Sequence, residues 1–337
     1  MHDMKRNATI GRWTLLAYIL ALASGCSLTA CGDSGPNGIT NVLPKPAAAA
    51  EVGYSIHTFS SRTFDSLTVD TATTERQGFQ WYNWDFYGYR SDASATVLNS
   101  DGSATLNGAT GGAGGQLVTA VQNSAGAPFV GVSFGGGAYI EAVLKWQPLM
   151  NPLANASSVP AFWALPIEGN FSPYSDQWPG QQAGYTHSIE TDFFEAEPND
   201  AGTNLYGGSL HDWYGIVAET CPPGFCQANA SYQDGQRAAP AGTDFTQYHS
   251  YGFLWVPATA TSNGYAKFYF DGVQIGYTYQ WQLLPSEAIP PPVNQPWEFG
   301  ILDQEHLYII LGTGSLQPMT VKSVDVWQPG ASENIYN

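Results

Sequence analysis

Basic side chains are scarce in this chain. Eleven Lys and Arg stand against 28 Asp and Glu over 337 residues, a formal charge of −17. Three of the eleven lie in the first 31 residues, so the rest of the chain is more acidic still. Nucleic acid and anionic membrane surfaces are held by Lys and Arg, and this composition excludes both as partners. It also disfavours sulfated and uronic polysaccharides, so a neutral substrate is expected. Charged residues of all kinds make up only 12%, too few for an ion-paired helical surface. No apolar run reaches the roughly 20 residues that a membrane-spanning helix needs. With four cysteines, two of them in the N-terminal segment, a structural zinc site is not expected.

Glycine (37), proline (22) and aromatic residues (14%) are abundant instead. Short strands joined by turns fit that composition. The pattern past residue 50 bears this out. Strands are expected at Ala138 to Trp146, Ser188 to Ala196, Tyr251 to Val256, Tyr265 to Phe270, Val273 to Tyr279, Leu307 to Leu311 and Val321 to Gln328. Asp271-Gly272 between two of them is a hairpin signal. Nothing in the composition divides residues 51–330, which are expected to form one all-β domain of two antiparallel sheets packed face to face.

The N-terminus reads as an address. Lys5, Arg6 and Arg12 precede an apolar run, Trp13 to Leu22, of signal-peptide length. Leu28-Thr29-Ala30-Cys31 resembles a bacterial lipobox, which makes Cys31 the expected lipidated residue, with Cys26 as the alternative. Residues 32–50 are rich in Gly, Pro and Ala, as a flexible tether is. A monomeric cell-envelope lipoprotein or secreted protein is expected, touching membrane only through its lipid. The other two cysteines, Cys221 and Cys226, flank Pro-Pro-Gly-Phe and are expected to pair as a disulfide in an exported chain.

The chemistry concentrates in His187-Ser-Ile-Glu190-Thr-Asp192-Phe-Phe-Glu195. Glu190 and Asp192 share a strand face, being two residues apart. Glu195 falls on the opposite face of a regular strand. One β-bulge at Phe193 or Phe194 would bring it round. Carboxylates so crowded raise at least one pKa, and glycoside hydrolysis uses that asymmetry, one carboxyl serving as nucleophile and the other as acid. Spacing alone leaves two other readings open, a calcium site and an acidic solvent face.

The segment Glu190-x-Asp192-x-x-Glu195 resembles the E-x-D-x-x-E signature of glycoside hydrolase family 16. Further segments resemble the family in order: AYIEAVLK from Ala138, PAFWALP from Pro160, YGGSLH from Tyr206, HSYGFLW from His249, FYFDG from Phe268 and VKSVDVWQ from Val321. The likeness covers about 138–328 well and 51–137 poorly. It implies a concanavalin A-like jelly-roll sandwich and retaining hydrolysis. Glu190 is then nucleophile, Glu195 general acid/base, and Asp192 the residue that tunes them. Trp163, Trp178 and His211 are implied as substrate contacts, Trp213 less strongly. The expected activity is endo-cleavage of a neutral β-1,3- or mixed-linked glucan without a catalytic cofactor. A galactanase, a transglycosylase and a non-catalytic carbohydrate-binding protein are the alternatives. A structural calcium at Asp325, with Glu51 as partner, is a lesser expectation.

Overall fold

The computed structural model describes residues 44–83, 91–108, 114–122, 129–148, 159–171, 185–196, 205–216, 226–232, 236–283, 299–313, 317–329 and 333–336. In chain order its strands begin with β1 (Ile56–Ser61), β2 (Val69–Asp70), β3 (Trp81–Tyr82), β4 (Thr96–Leu98), β5 (Ala104–Leu106), β6 (Gln116–Val118), β7 (Ala120–Val121), β8 (Val130–Ser133) and β9 (Ala138–Trp146). They continue with β10 (Ala161–Pro166), β11 (Tyr185–Glu195), β12 (Leu205–Ile216), β13 (Cys226–Tyr232), β14 (Gln236–Ala238) and β15 (His249–Val256). The last are β16 (Gly264–Phe270), β17 (Val273–Trp281), β18 (Leu307–Gly312), β19 (Met319–Gln328) and β20 (Ile335–Tyr336). Two short helices, α1 (Ala47–Glu51) and α2 (Ile167–Asn170), complete the set used below.

Two large sheets form the expected jelly-roll sandwich. One runs β17-β16-β15-β9-β19-β5-β4, with β1 also on β19. The other runs β13-β12-β11-β10-β18-β6-β3-β2, with β14 also on β12. A small third sheet, β20-β8-β7, stands apart. Pairing is antiparallel except between β2 and β3. Strand alternation explains which side chains line the core. In β9, Ala138, Ile140, Ala142, Leu144 and Trp146 are buried at every second position, and Phe253 and Trp255 do the same from β15. Asp271 and Gly272 both have positive φ, 47° and 75°, as a type I′ hairpin turn between β16 and β17 requires.

The domain is longer than expected at both ends. The range 32–50 expected as a tether overlaps α1, where Ala48 and Ala49 pack against Tyr139, Leu254 and Trp327. An alanine run lacks polar side chains to hold it in water, and here it covers an apolar patch formed by β9, β15, β16 and β19. At the other end, β20 pairs with β8 beyond residue 330. Cys26, Cys31, Trp178 and Cys221 lie outside the described residues, and with them the expected lipid site, one expected substrate contact and one partner of the expected disulfide.

The decisive local feature is in β11. Asp192 pairs with Ser209 and Glu195 with Gly207 on β12. Three steps on β11 thus match two on β12. Against β10 the same slip occurs, Phe194 opposing Phe162 and Asp192 opposing Trp163, with Phe193 as the extra residue. Both Phe193 and Phe194 are therefore buried between the sheets. Phe193 packs on Phe162 and Phe253 with ring centroids 4.7 and 4.9 Å away. Phe194 sits 4.6 Å from Tyr251 and 5.6 Å from Trp146. Each burial contributes about 1.5–3 kcal/mol. Phe194→Ala is expected to destabilise the domain by about 3–5 kcal/mol through loss of burial and the cavity left behind, read as the shift in a denaturant unfolding midpoint.

Candidate active site

With both phenylalanines turned inward, alternation resumes after the bulge with Glu195 on the outer face. Ile189, Thr191, Phe193, Phe194 and Ala196 are buried, as is Asp192 on the opposite face, while Glu190 and Glu195 are half-buried there. The convergence that the E-x-D-x-x-E spacing demanded is thus built by one extra residue.

Neighbouring strands supply the partners. Glu190 pairs across the sheet with His211, and Asp192 with Ser209. Trp213 Nε1 donates to Glu190 Oε2 at 2.7 Å. Ser209 Oγ donates to Asp192 Oδ2 at 2.9 Å and lies 2.9 Å from His211 Nε2. His211 Nε2 also reaches Asp192 Oδ2 at 2.9 Å. From the other side, Trp163 stands opposite Asp192, half-buried against a second apolar cluster that includes Leu165, Tyr308 and Ile310.

These contacts set the protonation of the site. Burial pushes the Glu190 carboxyl up to about 8, and the charge of Asp192 adds to it, while His211 and the Trp213 N–H pull it back. For His211, burial favours the neutral ring, but the hydrogen bond and charge of Asp192, then Glu190 and Glu195, overcome it and hold the imidazole at about 9. Asp192, Glu190 and Glu195 thus all favour the charged form of this one imidazole. Burial, followed by the charge of Glu190, raises the Tyr308 phenol.

Two contacts escaped sequence reasoning. Trp213 was expected, weakly, to touch sugar, yet its indole N–H is spent on Glu190. Glu305, buried just before β18, accepts the backbone N–H of Ile189 at 3.2 Å with each oxygen. Pairing between β10 and β11 ends at Ala164 and Thr191, and the Glu305 carboxylate serves Ile189 beyond that point. No sequence pattern marks it, because 116 residues separate the partners.

Among the described residues, Glu190, Asp192 and His211 bring possible metal-ligating atoms within 4.8 Å of one another. The donors around them argue against a hard cation, which is bound through six to eight oxygens. The indole N–H and the Ser209 hydroxyl point hydrogens at the same carboxylates. Calcium at Asp325 fits no better. Its oxygens accept from His57 at 2.9 Å, Ser60 at 2.7 Å and Arg62 at 2.8 Å, so a cation there would meet a guanidinium. Glu51 lies instead on α1, where its charge acts on Tyr265 and Tyr269.

Fold and face define the class: a concanavalin A-like β-sandwich with an acidic, imidazole-bridged site on one sheet. No protein-family model and no curated protein matches the chain. Among solved structures it is similar to the endo-1,3-beta-glucanase of Streptomyces sioyaensis, with 17% identity over 88% of this chain and 100% of that one, at a TM-score of 0.45. It is also similar to the carbohydrate recognition domain of Emp46p (10% identity, 75% of this chain, 89% of that one, TM-score 0.37) and to the exoplasmic/lumenal domain of VIP36 (11%, 70% and 82%, TM-score 0.34).

Glu190 and His211 both hold more protons in the folded than in the unfolded chain. Their stabilisation is therefore present in full at low pH and lost as pH rises, from about 4.3 to 8 through Glu190 and from about 6.5 to 9 through His211. Melting temperature is expected to decline across this window, and His211→Gln to flatten the alkaline part. A Tm that climbs through neutrality contradicts the arrangement.

Proposed function

We propose that this chain is a retaining glycoside hydrolase of the family 16 type, acting on a neutral β-linked polysaccharide such as a β-1,3- or mixed-linked glucan. The observation that carries the reading is the bulge at Phe193, which sets Glu190, Asp192 and Glu195 on one face. A metal-free double displacement needs two carboxyls flanking the scissile bond, and this strand supplies them.

In the first step the Glu190 carboxylate attacks the anomeric carbon. Glu195 gives its proton to the departing glycosidic oxygen, and an ester joins sugar to enzyme. In the second, Glu195 takes a proton from water, whose oxygen displaces Glu190 and restores the starting configuration. Attack requires Glu190 ionised, whereas the substrate-free site holds a proton on it up to about pH 8. The imidazolium of His211 and the Trp213 N–H stabilise the carboxylate once it forms. Asp192 keeps His211 charged through its direct contact with Nε2, and Ser209 touches both. Trp163, half-buried beside Asp192, offers an aromatic face to a sugar ring.

Glu190→Gln is expected to lower hydrolysis by several orders of magnitude while leaving folding and glycan binding intact. Proton NMR of the first-formed product should show the retained anomer; inversion, or undiminished turnover by the variant, overturns the assignment. The kcat/KM profile should rise with pH along a limb set by Glu190. Trp213→Phe, which removes a hydrogen bond to the ionised form, should move that limb to higher pH.

Membrane attachment through acylated Cys31 belongs to the same proposal, since it would hold the enzyme at the envelope while its domain reaches polymer. Cys31→Ser should transfer the protein to the soluble fraction, and unchanged retention would point to Cys26 or an uncut anchor.

A further inference from the structure

The carboxylates fix the direction of a bound chain. Glu190 and Glu195 lie along β11, and a glycosidic bond cleaved between them must have one on either side. The glycan therefore crosses the strands, passing over Asp192. Its path is a row of directly paired residues on one face: Ser209 on β12, Asp192, Trp163 on β10, Ile310 on β18, Val118 on β6 and Tyr82 on β3.

The two directions along this row differ. Toward β12 the path is flanked by the half-buried rings of His211 and Trp213. Toward β18 the face closes behind Trp163, since Ile310, Val118 and Tyr82 are each at most 1% exposed beneath the second apolar cluster. Three buried rings stack on one another there. Phe171, which follows α2, stacks on Tyr308 at 4.9 Å, and Phe129, which precedes β8, stacks on Phe171 at 5.9 Å. Residues from β3, β6, β7, β8, β10, α2 and β18 interlock in this wall, which makes it core rather than lid. Strands lie about 4.8 Å apart, so the wall stands about 10 Å from Asp192, room for one or two sugar rings.

We infer that the site is a blind-ended cleft and that the enzyme works at a chain end, releasing a short sugar of fixed length. This rests on the hydrolase reading above and departs from the endo action expected from the sequence. On a β-1,3-glucan, one short product should dominate from the first turnovers while the mean polymer mass, followed by size exclusion with light scattering, falls only in proportion to sugar released. A several-fold drop in mass with few new reducing ends overturns the inference.

A binding measurement separates this inference from the hydrolase reading. The Glu190→Gln protein should bind a β-1,3-linked gluco-octaose at least about 100-fold more tightly than the same octaose carrying a bulky fluorophore at both ends, because an end must enter the cleft. Equal affinities mean a cleft open at both sides, whatever becomes of turnover. Wild-type turnover by Glu190→Gln, with the affinity difference intact, overturns the catalytic assignment and leaves the blind cleft standing.

Discussion

Two adjacent phenylalanines in one strand both lie in the intersheet core, and the site depends on that packing. A regular strand would place one of them in water beside the carboxylates. The aromatic layer formed by Trp146, Phe162, Tyr251 and Phe253 accepts both. The strand adapts by one extra residue, a local loss of ladder pairing that the burial of a second large ring outweighs. Everything on the outer face follows. Asp192 and Glu195 come to the same side although they are three positions apart, with two residues between them, and the partners on β12 fall opposite in register.

Crowding three carboxylates at a half-buried surface raises the free energy of every ionised form. The fold answers with one imidazolium, one indole N–H and one hydroxyl, all from β12. His211, Trp213 and Ser209 alternate along that strand, so a single strand face delivers the whole set. On the opposite flank the sheet offers mostly apolar and aromatic side chains, and Trp163 marks the border between the two environments. Low polarity on that side strengthens the electrostatic coupling within the acidic cluster. It also accounts for the raised Tyr308 phenol two strands away from Glu190.

Much of the architecture was legible in local pattern. Alternation marked β9, aromatic and β-branched runs marked β15 and β16, and Asp271-Gly272 marked a hairpin whose positive φ angles admit few other pairs. The need for a bulge at Phe193-Phe194 followed from counting residues between Asp192 and Glu195. Other features were not legible, for identifiable reasons. Residues 47–50 look like linker because four alanines carry no periodic signal, yet small side chains are what fit beneath Tyr139 and Trp327. The ion pairs of Asp325 were not legible because its partners, His57, Ser60 and Arg62, lie more than 260 residues away in the chain. The hydrogen bond from Trp213 to Glu190 was not legible because an indole's ring and its N–H suit different roles, and only the position of Glu190 engages the N–H.

Strand identity, turn chemistry, the scarcity of basic charge and the spacing of Glu190, Asp192 and Glu195 are properties of the sequence alone, since each rests on residues close together in the chain. Which way Phe193 and Phe194 turn, which donors meet the carboxylates, and where the sheet face is walled by Phe129, Phe171 and Tyr308 were decided by the tertiary structure. Those outcomes depend on the volume and polarity of groups brought together from distant segments, and no local pattern encodes a neighbour that the fold has yet to supply.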